Sequence, residues 1–499
     1  MKRGFDFLAF TLDDVPAGEL ANSLHRQMRE AVVAGRFTPG SRMPATRMLA
    51  GELGISRNTV VEVYQRLVDE GYFAARHGSG TFVSEALAQD AAHRARQQVH
   101  ASAGITATAI AKRGNVGVLP FTLASERCPA NFRPGVPDLR EFPATEWRRS
   151  ATRRLRTALP RFFEGDQTQG DPLLRQHLAN YLRSSRGVRC VAESILVTAG
   201  AQQAFDMLAR VLVTKGTVVA VEEPGYPAAV AVFEAAGARI VTVPVDREGL
   251  VVSALPPSAS LIYVTPSHQF PLGVTMSLQR RKALLQWAAA ANAWIVEDDY
   301  DSEYRFSGRR VQALQALDTR DRVIYVGTFS KVLLPALRMG YIAMPQSLIE
   351  ELLAIKWLTD RHTPSLAQAV MAEFMDTGAF ARHLRRMQGI YRERFELLRA
   401  ALGTLPKTVA YLVPAQAGLH MTLLLHGSID VPRLISDANA KGIGLHALAP
   451  FCREPFAQGL VLGYGNIAAH EAERGARWLR QRLMAAPTSG APHEKWSRT

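Results

Sequence analysis

The chain has 499 residues, too many for one ordinary core, so two or more domains are expected. Its 47% hydrophobic and 21% charged residues read as soluble and globular, and the three widely spaced cysteines, Cys128, Cys190 and Cys452, exclude a disulfide framework and fit a reducing cytosol. The net charge of +14 suits an anionic partner such as nucleic acid, or solubility alone, but residues 1–84 hold 10 Lys and Arg against 9 Asp and Glu, so charge does not locate such a site.

The opening stretch MKRGFDFLAFTLDD carries an apolar run too short for a signal peptide. GELANSLHRQMREAVVAGRF then places Leu20, Leu24, Met28 and Val32 four apart, an amphipathic helix stopping near Gly35. PATRMLAGELGI gives a short second helix ended by Gly54. SRNTVVEVYQRLVDEGY gives a third, with Ser56 as N-cap and Val60, Val63, Leu67 and Val68 as its apolar stripe. FAARHGSGTFV reads as two short strands around a Gly-Ser-Gly turn.

Two short helices, a glycine turn and a β-hairpin make a DNA-reading geometry, in which the second helix enters the major groove by its N-terminus. That end presents Ser56, Arg57, Asn58 and Thr59. Arginine pairs with guanine or phosphate, asparagine with adenine, and serine or threonine with phosphate. A small helical domain that binds protein, or caps a dimer, is the alternative on periodicity alone. The run GSRMPATRMLAGELGISRNTVVEVYQRLVDEGYFAARHGSGTFV resembles the winged-helix domain of the GntR family of bacterial transcription regulators, with Met43 where leucine is usual. The resemblance implies double-stranded DNA as partner, contacted by Arg47, Arg57, Asn58 and Thr59 and, in the wing, by His77 and Gly78. Tyr64 and Arg66 fit either a phosphate contact or packing. This unit is expected over 14–84.

Residues 85–119 are rich in Ala and Gln and read as a linker, partly helical at EALAQDAAHRARQQV. From about residue 120 apolar strands alternate with helices: SILVTAG, VVAVEEP, RIVTVPV, LIYVTPS, AWIVEDD, VIYVGTF and RMGYIAM. The alternation predicts a largely parallel sheet covered by helices. Residues 365–485 predict a smaller α+β subdomain, and 486–499 a disordered tail. The longest apolar stretch, LLQWAAAANAWIV, is 13 residues long, too short to span a bilayer.

Within this region AWIVEDDYD ends one strand in acids, and VIYVGTFSK ends the next in Lys331. In a parallel sheet both ends face one edge, so Asp298 and Lys331 can converge there. A lysine amine forms a Schiff base with an aldehyde. Pyridoxal 5′-phosphate needs such a lysine, and a carboxylate that keeps its pyridine nitrogen protonated. It also needs phosphate donors, an aromatic face for its ring and a donor near its phenolic oxygen. Asp298 suits the pyridinium and Tyr300 the phenolic oxygen. The turn Gly200-Ala201-Gln202 opens a helix whose N-terminus suits the phosphate. Thr328 and Ser330 offer hydroxyls, Arg338 a charge-assisted bond, and Tyr226 in EEPGYP a stacking face. Singly, each of these residues reads as easily as a surface charge, a cap or a core side chain.

Together TAGAQQA, EEPGYP, VTPSHQFPLG, VEDDYD, TFSK and LRMGY resemble the fold-type I, aspartate aminotransferase-like enzymes, over about 120–485. Many of these carry an NPxNPTG loop whose asparagine bonds the phenolic oxygen; here the loop reads TPSHQFPLG, and either His268 or Gln269 is expected to substitute. The arginine that usually holds the substrate carboxylate has no counterpart in LVLGYGN, so Arg453 in APFCREPF is the candidate for that role; Ala228 stands where some relatives have a further arginine. Taken whole, the chain resembles the MocR/GabR subgroup of transcription regulators. That implies a cytoplasmic homodimer, head-to-tail, in which pyridoxal phosphate on Lys331 lets the aminotransferase-like domain sense an amino compound, or pyridoxal phosphate itself. A catalytically competent aminotransferase carrying a winged helix is the alternative.

Overall fold

The structure, a computed structural model, describes residues 10, 12, 15–76, 78–85, 128–157, 167–308, 311–426 and 429–485. The expected linker at 85–119 with its helical part, the tail at 486–499 and His77 lie, but for residue 85, outside these residues. The chain divides into two compact units, residues 1–112 and 113–499.

The first unit is built as its periodicity predicts. Helix α1 (Leu20–Val33) buries Leu24, Met28 and Val32, and α2 (Thr46–Glu52) and α3 (Arg57–Asp69) close the core with Leu49, Val60, Val63 and Leu67. Ser56 is extended and its side chain accepts the Thr59 amide at 3.1 Å, which starts α3. Strands β1 (Phe73–Arg76) and β2 (Gly80–Val83) form the hairpin, with Phe73 opposite Val83 and Arg76 opposite Gly80. One uncertain side chain, Tyr64, is settled by packing. Tyr64 is buried, donates to the Pro44 carbonyl at 3.1 Å and lies edge-on to Phe73, while Arg66 donates to Asn22 at 2.9 Å.

The second unit opens with a two-residue strand, β3 (Ala130–Asn131). Its main sheet follows: β4 (Ile195–Thr198), β5 (Val218–Glu223), β6 (Arg239–Asp246), β7 (Gly249–Leu250), β8 (Leu261–Val264), β9 (Trp294–Asp299), β10 (Val323–Thr328) and β11 (Gly340–Ala343). These eight strands lie in the order β4-β11-β10-β9-β8-β5-β6-β7. From β10 to β6 every pairing is parallel. Strand β11 runs antiparallel to both neighbours, within a sheet that is otherwise largely parallel, as expected. Most of the central strands are buried end to end, which is why they read as unbroken apolar runs.

The smaller subdomain holds a three-stranded sheet made by β12 (Ala410–Leu412), β13 (His420–Leu425) and β15 (Gly459–Gly463), packed with the long helix Ala379–Leu402 and the helix Ala469–Met484. Strand β3 also belongs here, because it pairs in parallel with β14 (Ile443–Gly444). The start of the unit is thereby brought back across its C-terminal part. Among the described residues no helix is long and apolar enough to cross a membrane.

Candidate functional site

In the first unit, α3 presents its N-terminus to solvent. Arg57 and Asn58 are exposed there, with Arg47 exposed on α2. Thr59 is half-buried, and its hydroxyl lies 2.9 Å from that of Ser56, so these two hydroxyls serve the cap first. Gly78 is exposed at the hairpin tip with φ near 72°.

In the second unit the parallel strands deliver their C-terminal ends to one edge, and a cavity of about 260 Å³ opens there. Its lining brings together ten residues expected from the sequence: Gly200, Ala201, Gln202, Tyr226, Asp298, Tyr300, Thr328, Ser330, Lys331 and Arg338. Strands β9 and β10 are in register with Asp298 opposite Val326, which sets Asp298 beside the turn that carries Lys331.

Burial pushes the Asp298 carboxyl up to about 7; the hydroxyl of Tyr263, donating at 2.6 Å, opposes that rise. The Lys331 amine donates to the Gly135 carbonyl at 2.7 Å. Burial lowers its affinity for a proton, against the pull of Asp301 and Asp298, and the positive charge of Arg133 lowers it further. A buried amine of this kind loses its proton readily and becomes nucleophilic.

The other end of the cavity is made for an anion. Gly200 caps the helix Ala201–Leu212 with φ 85° and ψ 170°, a conformation open to glycine alone, and no side chain caps the helix. Its first amides are left for a ligand. A Cβ on Gly200 would lie 3.7 Å from Arg338 Nη1, so the guanidinium stands at this same helix end. The Thr328 hydroxyl accepts the Ser330 amide at 3.1 Å and so shapes the turn before Lys331.

Three expected residues do not reach the cavity. His268 is buried behind it, its Nδ1 3.0 Å from Asp301. The amide nitrogen of Gln269 donates to the Pro224 carbonyl at 2.9 Å and the Phe270 carbonyl at 2.7 Å, while its oxygen accepts the Leu272 amide at 3.0 Å. Polar side chains in this loop close the loop itself, because its buried backbone groups need partners. Phe270 takes the cavity position instead and stands edge-on to Tyr226 and Tyr300. Tyr300 donates to the His268 carbonyl at 2.9 Å, so His268 orients Tyr300 through its backbone. Arg453 also lies off the lining: its guanidinium pairs with Glu234 at 2.7 Å and its amide donates to Glu223 at 2.9 Å.

Other lining residues escaped the sequence reading: Arg133, Pro134, Gly135 and Val136 from the segment after β3, with Phe205 and Phe270. The only signal for the first four is the turn dipeptide Pro134-Gly135.

Comparison with known proteins fits both units. Residues 20–83 match the bacterial regulatory proteins of the gntR family, and residues 132–437 match aminotransferase class I and II. The chain is 37% identical over 485 residues to the probable rhizopine catabolism regulatory protein MocR of Rhizobium meliloti, covering 96% of each. It is 33% identical over 472 residues to the HTH-type pyridoxine biosynthesis transcriptional regulator PdxR of Corynebacterium glutamicum, covering 94% of this chain and 96% of that one. Among solved structures, the kynurenine aminotransferase of Pyrococcus horikoshii aligns with a TM-score of 0.68 at 27% identity, over 72% of this chain and 92% of the other. With both units matched and the order of domains shared along nearly the whole length, the chain belongs to the MocR/GabR subgroup of GntR-family transcription regulators, a DNA-binding winged helix joined to a fold-type I aminotransferase domain.

Proposed function

We propose that this regulator holds pyridoxal 5′-phosphate in the cavity at Lys331 and senses an amino compound, or the cofactor itself, through it. The observation that carries the reading is the pairing, in one cavity, of a buried lysine with a carboxylate beside it and an uncapped helix end with an arginine beside it. These match the aldehyde, the pyridine nitrogen and the phosphate of one molecule. When bound, the cofactor supplies an aldehyde that condenses reversibly with primary amines and a ring that withdraws electrons.

The chain's own groups divide the work. Lys331, kept low in proton affinity by burial, is the nucleophile. Asp298, with Tyr263 donating to it, holds a proton on the pyridine nitrogen. Arg338 and the amides from Ala201 onward take the phosphate dianion. Tyr226 and Phe270 would wall the ring in and exclude water, and Tyr300 would donate to the phenolic oxygen only by turning its hydroxyl away from the His268 carbonyl. Lys331 would be the residue with which an amino compound competes for the aldehyde, and a difference in its contacts between the two occupancies would be what biases the DNA-reading unit. The same reading carries a cytoplasmic head-to-tail homodimer, as the subgroup resemblance implies.

The test is an absorbance spectrum of the purified protein with added pyridoxal phosphate, alone and as Lys331→Ala. A visible band present in the wild type and absent in the variant is the expected result. A wild-type protein that stays colourless overturns the cofactor assignment.

For DNA we assign base and phosphate contacts to Arg57 and Asn58, exposed at the start of α3, with Arg47 and Thr59 beside them and the hairpin tip at His77 and Gly78 as a further contact. Arg57→Ala is expected to weaken operator binding by about 1–3 kcal/mol, with relaxed specificity if it reads a base and a shallower salt dependence if it binds phosphate. Fluorescence anisotropy at several salt concentrations distinguishes the two; unchanged binding at every concentration counts against the assignment.

A further inference from the structure

We infer that the second unit carries a further anion site, apart from the Lys331 cavity, which takes the phosphate dianion of a small molecule. A cavity of about 420 Å³ lies between the helix Pro172–Arg186, the turn that follows β9 and the helix Ala379–Leu402. That volume is in the range of small-molecule sites. Four arginines line it, Arg186, Arg305, Arg385 and Arg392, against one acid, Glu303. Arg186 is neutralised by Asp299 at 2.8 Å. The other three have no carboxylate partner among the described residues. Arg305 donates to the neutral amide of Gln416, and Arg385 and Arg392 make no hydrogen bond or ion pair there. Arginine carries the fork of donors that matches a phosphate.

Arg385, Gln388 and Arg392 fall at i, i+3 and i+7, so they share one helix face, and all three line the cavity. That face meets the turn after β9, where Gln388 donates to the Arg305 carbonyl at 2.8 Å. In the same turn Ser302 Oγ, Glu303 Oε2 and Arg305 Nε are buried and lack a hydrogen-bond partner among the described residues. Buried polar atoms are nearly always paired, and a hydroxyl and a guanidinium N–H are donors that a phosphate oxygen accepts from. Glu303 opposes an anion only weakly. Burial, aided by the charge of Asp299, raises its carboxyl to about 7 against the pull of Arg186, and Tyr181 donates to it at 3.0 Å. Phe306 and Leu384 add apolar wall, which gives an organic portion a surface beside the phosphate. The two cavities share no lining residue, yet both draw on the stretch 298–305: Asp298 and Tyr300 line the first, and Ser302, Glu303 and Arg305 line the second.

Isothermal titration calorimetry of the full chain at fixed ionic strength tests the site. The probes are inorganic phosphate, glycerol 3-phosphate and glucose 6-phosphate, with glycerol and glucose as controls. Arg338→Gln is the background, because it removes the cation that serves a phosphate in the Lys331 cavity. In that background at least one phosphate probe is expected to bind saturably with a Kd below about 1 mM, and neither control is. Adding Arg385→Gln and Arg392→Gln, both at exposed helix positions, is expected to raise that Kd at least about 10-fold, the worth of lost charge-assisted contacts. Lysine at the same two positions is expected to recover part of the loss. Tighter binding of an organic phosphate than of inorganic phosphate supports the site with a phosphomonoester as its ligand; equal binding supports it with free phosphate. No phosphate binding in the Arg338→Gln protein, or a Kd that the two glutamine changes leave alone, overturns the site. A Kd that moves only with Arg338 puts the phosphate in the Lys331 cavity and also overturns it.

Discussion

Asp298→Asn is expected to stabilise the cofactor-free protein at pH 8 and to gain nothing at pH 4. The carboxyl of Asp298 sits at about 7 in the folded protein against 3.8 for an ordinary aspartate, because burial disfavours its charge. The folded state therefore binds the proton more tightly than the unfolded chain does. Below about pH 4 both states are protonated and the group costs nothing by this route. Between about 4 and 7 the unfolded chain ionises first, so stability is lost as pH rises, up to roughly 4 kcal/mol as an upper bound. Asparagine removes that loss and keeps an oxygen for the Tyr263 hydroxyl. Glu297 and Glu303, each also raised to about 7 with burial as the leading cause, titrate in both proteins and cancel in the difference, whereas Glu222, raised to about 7 by burial and in part by the charge of Asp298, is relieved in the variant and adds to the gain. Urea unfolding of the two cofactor-free proteins at several pH values measures it. A difference that does not change with pH would remove the argument. Cofactor affinity is expected to move the other way, falling sharply in the variant, since asparagine cannot hold the pyridinium proton.

A second large effect is expected next door. Arg186 and Asp299 form a buried pair, Nε to Oδ2 at 2.8 Å, with both side chains 7% exposed or less. Burial would lower the proton affinity of Arg186, but the Asp299 carboxylate outweighs it and holds the guanidinium above its ordinary value. The same guanidinium donates to Ser267 at 2.6 Å and to the Val311 carbonyl at 2.6 Å, and the Tyr325 hydroxyl donates to Asp299 at 2.6 Å. Arg186→Leu leaves a buried carboxylate with one hydroxyl for company and is expected to cost about 3–5 kcal/mol. Adding Asp299→Leu should restore much of it. Chemical denaturation of the single and double variants checks this, and a single-variant loss below about 1 kcal/mol would overturn it.

Much of the site was readable because a parallel sheet makes a promise about direction. Strands that read as buried and parallel must release their C-terminal residues at one edge, and that is how Asp298 and Lys331, Thr198 before Gly200, and Glu223 before Tyr226 come together. What could not be read lies where that promise lapses. Strand β3 is two residues long and has no periodicity, so nothing in sequence places the segment after it beside Lys331, whose amine donates to the Gly135 carbonyl at 2.7 Å. Tyr263 sits inside the apolar run LIYV and reads as core, yet its hydroxyl carries the bond to Asp298. His268 or Gln269 is expected in the cavity because their loop stands where aminotransferases carry NPxNPTG; Asp301 holds the His268 side chain, buried loop backbone holds that of Gln269, and Phe270 lines the cavity. The reversal of β11 is likewise silent in RMGYIAM, since pattern carries no sign of strand direction.

That reversal sets a ruler inside the protein. Thr328 faces Gly340 across the β10–β11 pair, and the Phe329 amide donates to the Met339 carbonyl at 3.0 Å, so the loop from 329 to 339 is pinned at both ends. Lys331 and Arg338 both stand on it. The backbone spacing of Lys331 and Arg338 is therefore set by one closed loop rather than by the relative placement of two helices or two subdomains. Rearrangements elsewhere in the unit would shift this loop as a whole while its two ends stay joined.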